Sequence, residues 1–339
     1  MVKEYEPDAI DLRLVHALQI DPRASWSDLS PVVGADAVTL ARRWERLSSS
    51  GLAWVSGYSP GKRRSTLALI EVECGPGGAM ATFQSLAGNP DIISVDFTAG
   101  SRDLILTFVA KSMRDVTSFV LYQLGEFASI RSARTHLVTD VIKEGGAWRL
   151  RELSAGDIQR IPPLRPPRPR ASRQIPDDLQ RVIESELAAN GRATTSDIAT
   201  KAGVTSQRVA DAIAVLRNNR ELLFRTDIAR SYSGWPVHAW YFMQVPASSI
   251  ENVREALARV EEVRLAARSA SQYNLIMSVW LRTLDDVHRL EVMLEKSIPG
   301  ARIADRSLVI HAGKHLGRIL DENGRVTSAA EPPPPPLSQ

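Results

Sequence analysis

The chain has 339 residues, too many for one ordinary core, and a typical domain size of roughly 100 residues divides it into two to four domains. No apolar run reaches the roughly 18 residues of a membrane helix, the single cysteine, Cys74, excludes an internal disulfide, and the first residues lack the apolar core of a secretory signal, so the expected location is the cytoplasm. A net charge of +3 is too small to argue for nucleic acid by itself, which leaves the placement of charge along the chain to decide.

In chain order, Ile10, Leu14, Ala17 and Leu18 recur at helical spacing and predict a first helix of about three turns. A short second helix starts at Ser25, with Asp28 three residues on as a capping pair. Gly34 supplies a turn that tolerates positive φ, and Asp36 caps a third helix through Leu47. Three short helices around a glycine turn read as a helix-turn-helix. The next segment predicts strands at Leu67–Glu73, Ile92–Thr98, Asp103–Ala110 and Ile130–Ile142, with helices near Ala79–Ala87 and Asp115–Gly125. That β-α-β-β-α-β order is a ferredoxin-like sandwich.

From Ile158 to Pro176 the chain carries Arg160, Arg165, Arg168, Arg170 and Arg173 among prolines and no acid, which predicts an extended spacer. Beyond it the pattern returns. Arg23-Ala-Ser-Trp-Ser-Asp-Leu, Gly34 and Leu47 recur as Arg192-Ala-Thr-Thr-Ser-Asp-Ile, Gly203 and Leu216 at an offset of 169. Gly100-Ser-Arg-Asp-Leu-Ile-Leu matches Ser271-Gln-Tyr-Asn-Leu-Ile-Met, and Arg134-Thr-His-Leu-Val is set against Arg306-Ser-Leu-Val-Ile. Strands are expected at Ala239–Val245, Val263–Ser269, Asn274–Leu281 and Arg302–Ile310, with helices near Ile250–Val260 and Leu284–Lys296. The predicted class is α+β, two copies of a winged helix-turn-helix followed by a ferredoxin-like sandwich. The segments are helix-turn-helix 1–60, sandwich 61–150, linker 151–175, degenerate helix-turn-helix 176–230, sandwich 231–320 and a disordered tail 321–339, whose last residues are mostly proline.

Function concentrates on the third helix. Leu40, Trp44 and Leu47 fall on a buried stripe, which leaves Thr39, Arg42, Arg43 and Arg46 toward the exposed side of a helix that fits the DNA major groove. In the second copy Ser206, Gln207 and Arg208 open the equivalent helix, but Asp211 and Ala212 replace Arg42 and Arg43, and Arg220 replaces the helix-ending Gly51. An acid facing phosphates is repulsive, so this head should contribute less.

The ordered set Asp11-Leu…Ala17-Leu-Gln, Asp28-Leu…Gly34, Arg42-Arg…Arg46-Leu…Gly51-Leu, Ala99-Gly…Asp103-Leu-Ile-Leu and Arg134-Thr…Leu137-Val resembles the leucine-responsive regulatory protein/AsnC transcription regulators. The resemblance covers nearly the whole chain, written as a fused pair of units that family members carry singly. It implies double-stranded DNA as partner and a small effector, an amino acid or relative. On that resemblance Gly100 lets the ligand approach the backbone, Asp103 meets an ammonium group and Thr135 serves the carboxylate side, with Ser271, Asn274 and Ser307 as weaker counterparts. Exposed sheet edges predict a homo-oligomer, at least a dimer.

Two rival readings stand beside it. A fused pair of such units also resembles the siroheme decarboxylases of tetrapyrrole synthesis, for which His16, His136, His238, His288, His311 and His315 are scattered acid–base candidates. The other is a metabolite-binding module without DNA binding, against which Arg42, Arg43 and Arg46 argue. The spacing of cysteine and histidines shows no metal site, and Gly75-Pro-Gly-Gly lacks the lysine of a phosphate loop, so no cofactor and no catalytic residue is expected.

Overall fold

The computed structural model describes residues 5–59, 66–161 and 174–328; most of the Pro/Arg run and the end of the tail lie outside the described residues. The first half runs α1 (Ala9–Ile20), α2 (Trp26–Val33), α3 (Ala37–Ser49), β1 (Ala53–Tyr58), β2 (Thr66–Cys74), α4 (Gly78–Leu86), β3 (Ile92–Thr98), β4 (Leu104–Ala110), α5 (Met113–Ser118) and β5 (Ile130–Lys143). A short helix α6 (Ala155–Arg160) follows, and then α7 (Asp177–Ala189), α8 (Thr195–Ala202), α9 (Ser206–Asn218) and β6 (Leu223–Ile228) repeat the opening order. The rest is β7 (Val237–Gln244), α10 (Ala247–Ile250), α11 (Val253–Ala258), β8 (Val263–Ser269), β9 (Leu275–Leu281), α12 (Asp286–Ser297), β10 (Arg302–His315), β11 (Arg318–Leu320) and β12 (Val326–Ser328).

These elements gather into two compact units that cut across chain order: one takes α1–β1 with α6–β6, the other takes β2–β5 with β7–β12.

In the helical unit each three-helix group forms for local reasons. The Asp8 carboxylate accepts the amides of Ile10 and Asp11, while Asp11 reaches back to the Asp8 amide, a complete capping box. The Ser25 hydroxyl accepts the Asp28 amide at 3.1 Å, although the Asp28 carboxylate takes the Ser25 hydroxyl rather than a backbone amide. Gly34 and Gly203 adopt φ of +89° and +64° and end α2 and α8, where a side chain would strain the turn. Leu14, Leu18, Leu29, Leu40, Trp44 and Leu47 fill the first core; Leu179, Ile183, Leu187, Ile198, Val209 and Leu216 fill the second.

The expected wings differ from hairpins. β1 pairs antiparallel with β6, from Ala53↔Ile228 to Tyr58↔Leu223, so the two groups share one ribbon. A reciprocal clasp joins them again. Arg192 donates to the carbonyls of Pro22 (2.8 Å) and Ala24 (3.0 Å), and Arg23, its repeat equivalent, donates to those of Gly191 and Ala193. Gly191 lets the chains meet: a Cβ there would lie 2.4 Å from Val55 Cγ1. Residues 155–160, assigned to the linker by composition, form α6 instead, because Leu153 and Ile161 are buried around it and Asp157 pairs with Arg13 at 3.6 Å.

The second unit is one closed sheet rather than two separate sandwiches. Each half keeps the ferredoxin-like order, β3-β4-β2-β5 and β8-β9-β7-β10. The long strands then change partner along their length. β5 leaves β2 after Leu137 and pairs with β8 from Val138, and β10 leaves β7 after Leu308 and pairs with β3 from Val309. Eight strands thus close a ring with helices outside, over cores centred on Phe108 and Phe119 in one half and Tyr241 and Met277 in the other. Inside lie Leu69, Ile105, Trp240, Phe242, Ile276 and Val309. The start of the expected disordered tail is ordered, since β12 pairs with β11 across a turn in which the Asp321 carboxylate accepts the amides of Asn323 and Arg325.

Candidate nucleic-acid interface and ligand cleft

α3 presents its buried stripe as predicted, but its four proposed DNA-facing residues separate. Arg42 is exposed, with no hydrogen-bond or ion-pair partner among the described residues. Arg46 is exposed as well, its guanidinium 4.9 Å from the centre of the Tyr5 ring. Thr39 is half-buried, and its hydroxyl donates to Asp36 at 2.6 Å beside the capping bond of its own amide. The Asp36 carboxyl is held below its ordinary range chiefly by that hydroxyl. Arg43 points back to the start of α1, 2.8 Å from Asp8 and 2.9 Å from the fully buried Asp11. Its guanidinium is therefore spent inside the head, a correction to its placement on the reading face.

On α9, Ser206 and Gln207 are exposed and Arg208 is half-buried, with its guanidinium on the carbonyl of Gln174. Gln207 donates to Asp211 at 2.9 Å. Ala212 is buried, and Arg220 holds φ of +57° where Gly51 holds +68°, so the arginine copies the glycine turn at some backbone cost.

In the barrel unit, Gly100 and Asp103 meet at an open cleft of about 350 Å³ lined also by Glu73, Cys74, Gly77 and Arg131. Gly100 has φ of +118°, which favours glycine. The Asp103 carboxylate accepts the Cys74 amide at 2.6 Å through Oδ2 and fixes the β2 end against the β3–β4 turn. Thr135 is half-buried opposite Ile70 and does not line the cleft; Arg131, earlier on β5, supplies the cation. Burial pushes the Cys74 thiol up.

The equivalent residues of the second half are engaged internally. Asn274 uses both amide atoms on Val245, accepting its N–H and donating to its carbonyl, each at 2.8 Å. Ser271 meets His136 Nδ1 at 2.8 Å and Ser269 at 2.9 Å. Strand register equates Ser307 with His136, since they oppose Trp240 and Leu69, rather than with Thr135.

Sequence reasoning passed over the polar centre of the barrel. Arg102, only 3% exposed, ion-pairs with Glu71 and Asp305, donates to Ser307 at 2.7 Å and stacks 4.3 Å from the Phe242 ring centre. His136 closes the group on Glu71. Arg102 lay in the quoted Gly100–Leu106 motif, but its partners come from three other strands. Five of the six histidines lie in this unit, and no three metal-capable side chains converge among the described residues.

A helix-turn-helix unit combined with an α/β ligand-binding fold is the class that these features define. Residues 8–48 match the AsnC-type helix-turn-helix domain and residues 67–148 the Lrp/AsnC ligand binding domain. An uncharacterised HTH-type transcriptional regulator of Pyrococcus furiosus is 26% identical over 145 residues, 41% of this chain and 97% of that protein. The HTH-type transcriptional regulator FL11 of the same organism is 27% identical over 142 residues, covering 40% and 92%. Over nearly the full length the fold is like that of the siroheme decarboxylase NirDL bound to an iron-uroporphyrin III analogue, with a TM-score of 0.58, 13% identity and coverage of 91% and 93%.

Proposed function

We propose that the chain is a sequence-specific transcription regulator that binds double-stranded DNA and responds to a small metabolite. The observation that carries this reading is the succession of an AsnC-type helix-turn-helix and an Lrp/AsnC ligand-binding domain in one chain, with Arg42 and Arg46 exposed on the reading helix. The effector is an amino acid or similar zwitterion. Asp103 and Glu73 suit an ammonium group, Arg131 suits a carboxylate, and the glycine turns admit close backbone approach. The recurring order of elements supports reading the two halves as copies of one unit, the second with its ligand positions turned to structural use. A homo-oligomer remains part of the proposal on different grounds, because each of the eight ring strands has a neighbour on both sides among the described residues. Exposed Met113 and Leu121 recur as Leu284 and Val292, paired apolar spots suited to contacts between copies.

Thermal-shift screening against amino acids and related metabolites, followed by gel shifts on DNA upstream of the chain's own gene, tests both parts. A ligand that raises the melting temperature and alters a DNA complex is expected; no DNA complex at any salt overturns the regulator reading. The full-length likeness to a siroheme decarboxylase favours a second reading, a tetrapyrrole-binding enzyme. A strong new absorbance band on adding a tetrapyrrole would select it.

A further inference from the structure

The two reading helices are held alike and armed differently. α3 and α9 share their capping position, glycine turn and buried stripe, so exposed positions correspond at the offset of 169. On α3 they are Val38, 70% exposed, with Arg42 and Arg46 on the following turns. On α9 the equivalents are Gln207, which is exposed, and Asp211 and Val215, which are half-buried. An apolar side chain at the front of a major-groove helix suits a thymine methyl, and a guanidinium suits a guanine edge or a phosphate. Glutamine suits adenine, and a carboxylate accepts from the cytosine amino group while it repels phosphates. The two helices ask for different bases.

A homodimeric reader presents one helix twice and therefore matches a palindrome. Here the pair is built within one chain. The β1–β6 ribbon, the Arg23 and Arg192 clasp and the tight approach at Gly191 place one α3 and one α9 in the same compact unit. We propose that a single copy of this chain reads two unlike half-sites, so that its operator lacks dyad symmetry and sets the direction in which the chain lies on DNA. This rests on the DNA-binding reading above and adds to it the form of the site.

The test is selection of random-sequence duplexes by the full-length chain, followed by sequencing of the retained DNA. The expected consensus has two different half-sites in fixed order, one rich in thymine and guanine contacts, the other in adenine or cytosine. The double change Gln207→Val with Asp211→Arg gives α9 two of the three α3 side chains and should move the consensus toward a palindrome. Arg42→Ala should weaken binding to the wild-type consensus about tenfold, whereas Asp211→Ala should change the preferred base at its half-site more than the affinity. If the double variant fails to fold, the wild-type consensus alone decides. A wild-type consensus whose adjacent half-sites are identical, or a single half-site, overturns the inference and leaves DNA binding standing; no retained sequence at all overturns the DNA-binding reading itself.

Discussion

Arg43 has the spacing of a DNA-contacting residue, yet its two carboxylate partners make it a brace between α3 and the start of α1. Removing it leaves Asp11 buried with the Asp8 amide and the Tyr5 hydroxyl as its remaining partners among the described residues. Arg43→Ala should therefore cost about 2–3 kcal/mol of stability in urea unfolding, a loss that Arg42→Ala does not share. His16 makes a pH prediction in the same unit. Its Nδ1 accepts the amides of Glu152 and Leu153, both at 2.9 Å, which requires the neutral ring. Burial, followed by the charges of Arg149, Arg151 and Arg13, lowers its pKa to about 4. Because the folded pKa lies below the unfolded one, this contribution is complete above the ordinary histidine range and is lost as pH falls from there toward 4, up to roughly 3 kcal/mol. His16→Asn keeps an acceptor without the titration, so its melting temperature should fall less than that of the wild type over the same window. Asp103→Asn should keep the fold, since Asn274 already performs the same strand-end clamp in the second half, while removing most of the ligand-induced stabilisation. Calorimetric titration with the ligand that the screen returns distinguishes the two effects.

At the level of elements, the clasp is the most testable contact. Arg192 lies over the Trp26 ring, 3.9 Å from its centre, and burial followed by the charge of Arg23 lowers its pKa to about 10. Two like charges held close persist only because each guanidinium finds two carbonyls across the pair. Arg23→Ala and Arg192→Ala should each cost about 1–3 kcal/mol, and the double variant should cost less than their sum, since each change relieves repulsion on the other; a double-mutant cycle in urea measures the difference. None of this was legible locally. Helices and strands followed from periodicity, and Gly34 and Gly203 marked their turns, so most predicted strands lie within a residue or two of those observed. What escaped was pairing over long stretches of chain, such as β1 with β6, and an interruption with no compositional mark: after α5 the chain takes a π-turn at Phe119–Gln123, where a single helix to Gly125 was expected. The cleft was half legible. Gly100 and Asp103 sit in one short motif, while Arg131 comes from a strand whose facing only the fold determines.

For the molecule as a whole, closure of the sheet removes the edge argument for assembly and leaves the paired apolar spots. Sedimentation at micromolar concentration should give a mass above 37.3 kDa, and Leu121→Glu with Val292→Glu should reduce it to that value. The same ring bears on how the protein is made. Thr98 of β3 pairs with Val309 of β10, and Val138 of β5 with Ser269 of β8, so both flanks of the first sandwich wait for residues synthesised much later. During translation that sandwich emerges with two open strand edges, each a template for pairing with a neighbouring nascent chain. The interval is longer for β3 than for β5, because β10 follows β8 along the chain. Truncation before Arg302 should accordingly yield a product that aggregates through β3, although every residue of the first sandwich is present.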